Sequence, residues 1–187
     1  MASRARASLL TADDLDDIPS DGNRYEIIDG VVCVTPSPSR AHQHILAALL
    51  VLLRPYAAAL GITVYVAPLD VRASPVTQVE PDLLAVPRDV DRAITTRWSP
   101  MSVLMLAVEI LSPSTARVDR GRKRELYMAE GVDQYWIVDI EAYTVEVWTP
   151  GVDDPDRLTA AEVLQWQPVA GVAPLAIDLG ALFGELA

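Results

Sequence analysis

The sequence predicts a single α/β domain built on a mixed central β-sheet flanked by helices. The order of expected elements is a hairpin, a long helix, several strands, a second helix and further strands, which is typical of an α/β layer architecture. The length of 187 residues corresponds to about one domain, and 51% of the residues are apolar, which is enough for a sizeable core. No internal repeat or low-complexity block interrupts this pattern.

The first elements have clear local signals. We expect Thr11 to cap a short helix within residues 8–21. Residues 25–34 predict a β-hairpin, because Asp-Gly between two apolar runs is a strong turn signal. Leucines at helical spacing then predict a long helix that opens near Ser37 and runs to about Leu60.

The rest of the chain is expected to contain strands and one further helix. Residues 103–111 are almost continuously apolar, which is typical of a strand covered on both faces. A helix is expected over about 120–130, with Asp119 as its N-cap and Gly131 at its end. We expect a disordered start (1–10), strands at 63–72, 79–86, 134–140, 144–148 and 161–166, and a polar loop with one helical turn at 87–101. Residues 151–187 are expected to be a C-terminal extension of the same domain, with a short helix near 179–186.

Composition excludes several classes of protein. The apolar runs are far shorter than the roughly 18 residues of a membrane helix, and the first ten residues lack a secretory apolar core, so we expect a cytoplasmic protein without membrane contact. A single cysteine excludes an internal disulfide and a multi-cysteine zinc site. A net charge of −11 argues against binding nucleic acid by bulk attraction.

Four acids interrupt otherwise apolar strands: Glu26, Asp70, Asp82 and Glu109. A buried carboxylate is costly unless it is paired, hydrogen-bonded or bound to a metal. If the strands that carry Asp82 and Glu109 are neighbours, both carboxylates meet at one end of the sheet, where hard oxygen ligands and water bind Mg²⁺. The alternative is that each acid turns to solvent or pairs with an arginine.

The single lysine, Lys123, lies among fourteen arginines, in a segment where five bases fall within eight residues. Lys123 and Tyr127 share one helix face, and so do Arg120 and Arg124, because residues four apart are neighbours on a helix. The segment is either a solvated basic helix or a local cationic strip for phosphates with Lys123 turned toward Glu109.

Other residues give weaker indications. His42 and His44 are two apart and do not share a helix face, which argues against a zinc site built from this pair alone. Val145, Val147 and Trp148 belong either to a dimer interface or to the core. No nucleophile elbow, Walker loop or dinucleotide fingerprint is present.

Six segments in order carry a family resemblance: YEIIDGVV, SPSRAHQHI, VYVAPLDVR, VEPDLLAV, VEILSPST and DRGRKRELYMAEGVDQYWIVD. They resemble the Uma-two family of restriction-endonuclease-like proteins in the PD-(D/E)XK nuclease superfamily. The resemblance covers Thr11 to Trp148 and is most specific from Glu109 to Asp139.

The resemblance implies a restriction-endonuclease-like fold and a metal-dependent endonuclease that hydrolyses phosphodiester bonds of nucleic acid, with DNA as the expected partner. It implies that Asp82 and Glu109 are the two acids of the motif and hold Mg²⁺ or Mn²⁺ together with the carbonyl of Ile110. The lysine expected two residues after Glu109 is replaced by Leu111, and Lys123 stands in for it. Lysine suits this role because a desolvated ammonium is partly deprotonated.

The resemblance also implies that Glu26 assists the catalytic site and that His42 lines the pocket, and we expect His42, Arg120, Arg124 and Tyr127 to contact the substrate. A homodimer is expected by analogy, because duplex cutting usually uses two active sites. Two alternatives stay open. One is a nuclease-fold binding or accessory module without turnover, favoured by the displaced lysine and the net charge, and the other is a structural dimer whose acids only pair with arginines.

Overall fold

A computed structural model of the chain describes residues 10–18 and 21–184, so the expected disorder of residues 1–10 lies, except for Leu10, outside the described residues. The strands are, in chain order, β1 Arg24–Ile28, β2 Val31–Thr35, β3 Ile62–Val66, β4 Val71–Ser74, β5 Thr77–Val79, β6 Leu83–Pro87, β7 Ser99–Pro100, β8 Leu106–Ile110, β9 Tyr135–Asp139, β10 Thr144–Trp148, β11 Asp156–Thr159, β12 Val163–Trp166 and β13 Leu175–Asp178. The α-helices before residue 100 are α1 Arg40–Ala59 and α2 Arg88–Ala93. Short 3₁₀ helices cover Ala12–Asp17 and Met101–Val103, and the chain's last described helix is Leu179–Gly184.

A helix of mixed geometry carries the only lysine of the chain. It consists of Ala116–Val118, a π-helical turn Asp119–Lys123 and Arg124–Ala129, which follow one another without a break. We call these three segments together the lysine helix. Among the described residues, no helix combines the length and the apolar character needed to cross a membrane.

Two larger sheets and a ribbon make up the fold. The six-stranded sheet has the order β11-β10-β9-β8-β6-β3, in which only β8 and β9 are parallel. The five-stranded sheet has the order β2-β1-β5-β4-β7, and β12 pairs with β13 in a separate ribbon. The predicted α/β architecture with mixed sheets and flanking helices is therefore confirmed.

The six-stranded sheet is the central layer, because both of its faces are buried. Leu83 and Ala85 of β6 face a core formed with α1 and the C-terminal elements, whereas Leu84 and Val86 face a second core under the five-stranded sheet and the lysine helix. All five residues of β8 are buried, as the continuous apolar run predicted. Any polar side chain on these strands therefore lies inside the molecule.

Several locally encoded elements match their predictions. Thr11 and Asp14 form a capping box at the first 3₁₀ helix. Asp29 and Gly30 turn the first hairpin with φ of 53° and 75°, the left-handed values that an Asp-Gly turn supplies. The side chain of Ser39 accepts a hydrogen bond from the N–H of His42 and caps α1.

Three predictions about elements are wrong. The expected strands 63–72 and 79–86 are each split between the two large sheets, because Pro68 and Pro81 lack the N–H that a continuous ladder needs. Asp119 is not an N-cap, because the lysine helix begins three residues earlier and Asp119 is buried within it.

Candidate active site

Asp82 and Glu109 come together at one end of the central sheet. The antiparallel register pairs Leu83 with Val108, and one further step places Asp82 opposite Glu109. Both side chains lie on the face toward the lysine helix, and both line a pocket of about 280 Å³ together with Ile110. The strands that carry the two acids are thus neighbours, and their carboxylates share one cavity.

Asp82 is 2% exposed and has three close partners. His42 Nε2 lies 2.9 Å from its Oδ2, the N–H of Ile110 donates to the same oxygen at 2.9 Å, and Arg24 Nη1 donates to Oδ1 at 3.1 Å. Burial by itself raises the pKa of Asp82, but His42, Arg24 and the Ile110 N–H outweigh it and lower the pKa below its ordinary value. Asp82 is therefore held as an oriented carboxylate.

Lys123 is 3% exposed and lies between three acids. Its Nζ is 2.8 Å from Glu26 Oε1, 2.9 Å from Glu109 Oε1 and 3.6 Å from Asp119 Oδ1. Burial lowers the pKa of Lys123, but the three carboxylates outweigh it and raise the pKa well above its ordinary value. The three carboxylates thus favour the ammonium form and oppose the partial deprotonation expected of a desolvated lysine.

Glu109 is enclosed by polar partners and other charges. The hydroxyl of Tyr127 donates to the same Oε1 that contacts Lys123, at 3.2 Å. Burial raises the pKa of Glu109 well above its usual range, and the nearby acids Asp119, Asp82 and Glu26 raise it further against the opposing effect of Lys123. Lys123 is thus the neighbouring cation that opposes this rise in the pKa of Glu109.

The charges of the buried site do not balance. With the histidine counted as neutral, the site contains four carboxylates and two basic side chains, which leaves two negative charges uncompensated when all the acids are ionised. The residues counted are Glu26, Asp82, Glu109, Asp119, Arg24 and Lys123. A divalent cation would carry a charge equal to this difference.

The donor set suits a hard divalent cation. Asp82 and Glu109 bring carboxylate oxygens to one pocket, and Mg²⁺ is commonly bound by one or two carboxylates, with water and substrate oxygens completing its shell. Within residues 10–18 and 21–184, no group of three or more His, Cys, Asp or Glu side chains is arranged to hold a metal ion. The protein would thus supply two carboxylates rather than a closed cage, which fits Mg²⁺ or Mn²⁺ better than a structural zinc.

Two predicted substrate contacts lie away from this pocket. Arg120 donates to Asp139 at 2.8 Å and to the buried Glu146 at 3.1 Å, and the guanidinium of Arg124 lies 4.8 Å from the ring centre of Trp148. These contacts join the lysine helix to β9 and β10. Three of the five bases of the predicted cationic strip, Arg120, Lys123 and Arg124, therefore contact other residues of the protein.

The remaining residues named from the sequence lie in varied surroundings. Tyr127 is fully buried behind Glu109, whereas His42 does line the pocket. Asp70 is half-buried and is not among the residues that line the pocket. Val145 and Trp148 are buried in the two cores and Val147 packs against the first, so these three cover the core.

The sequence interpretation missed Arg24 and the hydroxyl groups of the pocket. Arg24 and Glu26 are two apart on β1, so strand alternation could have placed the base on the same face as the acid. The hydroxyl-bearing residues on the pocket wall are Thr35, Ser37, Ser39, Ser112, Ser114 and Thr115. No spacing in the sequence indicates that these residues meet, because they come from two segments, 35–39 and 112–115, that are distant in the chain.

Comparisons with known proteins show the family of the chain and a protein of similar fold. Residues 12–178 match the Uma2 family, which is described as putative restriction endonuclease. A putative nuclease belonging to DUF820 from Anabaena variabilis ATCC 29413 has a similar fold, with a TM-score of 0.76 over 95% of this chain and 99% of that chain at 15% sequence identity. A search of curated proteins gave no match.

Proposed function

The chain belongs to the Uma2 family of putative restriction endonucleases, and we propose that its buried site hydrolyses nucleic-acid phosphodiester bonds with the help of a divalent cation. One observation carries this proposal. Asp82 and Glu109 face the same pocket from adjacent strands, with the Lys123 ammonium 2.9 Å from Glu109. Two acids and a lysine around one cavity are a suitable set for phosphoryl chemistry.

The cation would be Mg²⁺ or Mn²⁺, held by Asp82 and Glu109 and by the carbonyl of Ile110. When bound, such an ion polarises the phosphoryl oxygens and lowers the pKa of a coordinated water. The raised pKa of Glu109 makes protons compete with the metal, so metal affinity should increase with pH.

The protein's own side chains would position these groups. His42 and Arg24 fix both oxygens of Asp82, and the hydroxyl of Tyr127 fixes Glu109. Lys123 keeps a permanent positive charge beside Glu109, where it would orient the attacking water or stabilise charge that develops on the phosphate. Glu26, which also accepts a hydrogen bond from the N–H of Glu80 at 2.7 Å, would hold Lys123 in place.

A cleavage assay tests the proposal. Supercoiled, linear and single-stranded DNA and RNA are incubated with the protein in Mg²⁺, Mn²⁺ or EDTA. We expect metal-dependent cleavage of DNA that falls about 100-fold or more in Asp82→Asn and in Glu109→Gln, because each removes a charged metal ligand. Glu141→Gln, which changes an exposed acid, is the matched control and should keep the wild-type rate. Cleavage that persists in EDTA, or that survives both site variants, would contradict the proposal.

A binding module without turnover is the second candidate, and one observation favours it. Both oxygens of Asp82 already accept hydrogen bonds from protein donors, so a cation must compete with Arg24, His42 and the Ile110 N–H. A thermal shift titration separates the two candidates. A nuclease should show an increase in Tm with Mg²⁺ that Asp82→Asn abolishes, whereas a metal-free module should show none.

We further propose, by analogy, that the protein acts on duplex DNA as a homodimer, because duplex cutting usually uses two active sites. Sedimentation velocity gives the oligomeric state directly. A monomer that nevertheless linearises plasmid in one binding event would contradict the dimer.

A further inference from the structure

Asp119 is a buried acid beside Lys123 that the proposed chemistry does not use. It is 1% exposed, and its Oδ1 has no hydrogen-bond partner among the described residues. The same oxygen lies 3.6 Å from Lys123 Nζ, within ion-pair distance but beyond a direct hydrogen bond. A buried and unsatisfied carboxylate oxygen is costly, so its retention calls for a reason.

The backbone holds Asp119 and Lys123 on the same side of the helix. Asp119–Lys123 is a π-helical turn within a continuous helix, and side chains four residues apart on a helix lie on the same side of it. The hydroxyl of Tyr135 donates to the Asp119 carbonyl at 3.1 Å and fixes the start of the turn against β9. The approach of the two side chains thus follows from the helix geometry.

The ammonium group has room for a third acceptor. An ammonium has three N–H donors, and Glu26 and Glu109 lie at hydrogen-bond distance from Lys123 Nζ, at 2.8 and 2.9 Å. If Glu109 engages a divalent cation, its charge is shared and the cation repels the ammonium. Asp119 Oδ1, at 3.6 Å from Lys123 Nζ, is then a buried acceptor for the third N–H of the ammonium.

We propose that Asp119 is a positioning residue that retains the Lys123 ammonium in the site when Glu109 becomes a metal ligand. This role rests on the proposed function, because it concerns what happens to Lys123 when Glu109 becomes a ligand. Asp119 itself contacts neither metal nor substrate. It keeps the lysine beside Glu26 and prevents its displacement from the pocket.

A measurement on the metal-free protein tests this role. Lys123 is the only lysine of the chain, so lysine labelled with ¹³C at Cε gives a single side-chain NMR signal. Glu109→Gln removes the charge of Glu109 as a bound cation would offset it. We expect the signal in this variant to remain shifted from that of free lysine and to relax as an ordered group.

Adding Asp119→Asn to Glu109→Gln leaves Glu26 as the one charged partner of the ammonium among these three acids, so the lysine side chain should become less ordered. The signal should then move measurably toward that of free lysine and relax faster than in Glu109→Gln alone. Glu125→Gln in place of Asp119→Asn is the matched control, because Glu125 is an exposed acid of the same helix, and it should change neither property. A signal in the double variant that equals the signal of Glu109→Gln alone would overturn the role of Asp119.

Folding of each variant is checked by circular dichroism. If the first double variant does not fold, Asp119→Ser combined with Glu109→Gln makes the same test, because serine also removes the charge of Asp119 while Glu109→Gln is kept. In an active enzyme, Asp119→Asn should lower kcat about 10–100-fold and leave KM for DNA within about twofold, since it misplaces a reacting group without touching the substrate.

The two proposals fail separately. The NMR comparison needs neither metal nor substrate, so an inactive wild-type protein would refute the nuclease proposal while the lysine signal still reports on Asp119. Conversely, if the enzyme is active but the NMR signal of Lys123 does not change when Asp119→Asn is added, only the positioning role is refuted.

Discussion

Replacing Lys123 by methionine should destabilise the protein strongly. The change removes the ammonium that lies 2.8, 2.9 and 3.6 Å from Glu26, Glu109 and Asp119, and leaves three buried carboxylates without that counter-charge. Removing one partner of a buried pair costs about 3–5 kcal/mol, and in a chain of this size that corresponds to a decrease in Tm of about 6–20 °C.

The loss should also depend on pH. An acid whose folded-state pKa is raised destabilises the fold as pH rises above its unfolded pKa, and burial raises the pKa of both Glu109 and Asp119. Without Lys123, which opposes this shift, both pKa values should rise further. The difference in Tm between Lys123→Met and wild type should therefore be largest near pH 8 and smaller near pH 5.

Differential scanning calorimetry at several pH values measures both effects. The control is Arg122→Met, which removes an exposed base next to Lys123 and should change the free energy of unfolding by no more than about 0.5 kcal/mol. If Lys123→Met lowers Tm no more than Arg122→Met, or lowers it equally at pH 5 and pH 8, then Lys123 is not held in a buried cluster of ionised acids.

Three further changes probe the surroundings of the site. Burial, together with Asp70 and Glu26, raises the pKa of Glu80 to about 7. Ionised Glu80 therefore destabilises the fold increasingly as pH rises from about 4.5 to 7. Glu80→Gln should raise the free energy of unfolding by about 1–2 kcal/mol at pH 8 and leave it unchanged at pH 4.5. An equal increase at both pH values would be inconsistent with a raised pKa of Glu80. Tyr127→Phe removes the hydroxyl that donates to Glu109 and should cost about 1–2 kcal/mol in urea unfolding; no loss would mean that the bond is not formed. Arg120→Gln should lower the free energy of unfolding by about 1 kcal/mol and leave KM for DNA unchanged, because Arg120 pairs with acids inside the protein. A higher KM at unchanged stability would instead indicate that Arg120 contacts the substrate.

Elements with strong local signals could be predicted from the sequence. The Asp29-Gly30 turn and the Ser39 cap are encoded within a few residues. The almost continuous apolar run of β8 indicates that both faces of this strand are buried. The convergence of Asp82 and Glu109 followed from one assumption, that their strands are neighbours, and β6 and β8 do pair. Here the hydrophobic pattern and the placement of the acids were sufficient.

The remaining features depend on contacts between distant segments. Arg24 reaches Asp82 across 58 positions of the chain, and Arg120 finds Glu146 across 26, so neither partner is visible in local sequence. Asp119 looks like a cap because acids favour helix starts, and only the packing of the lysine helix against β9 shows that it is buried. Pairing of charges over long separations is thus the part that the local pattern does not encode.

The most direct test of the central claim is a crystal of the protein soaked in Mn²⁺ and measured at a wavelength where manganese scatters anomalously. We predict one anomalous peak in the pocket, in contact with a carboxylate oxygen of Asp82 and one of Glu109, with Lys123 still close to Glu26 and Asp119. A pocket without a peak at saturating Mn²⁺, or a peak that contacts neither acid, would contradict the account.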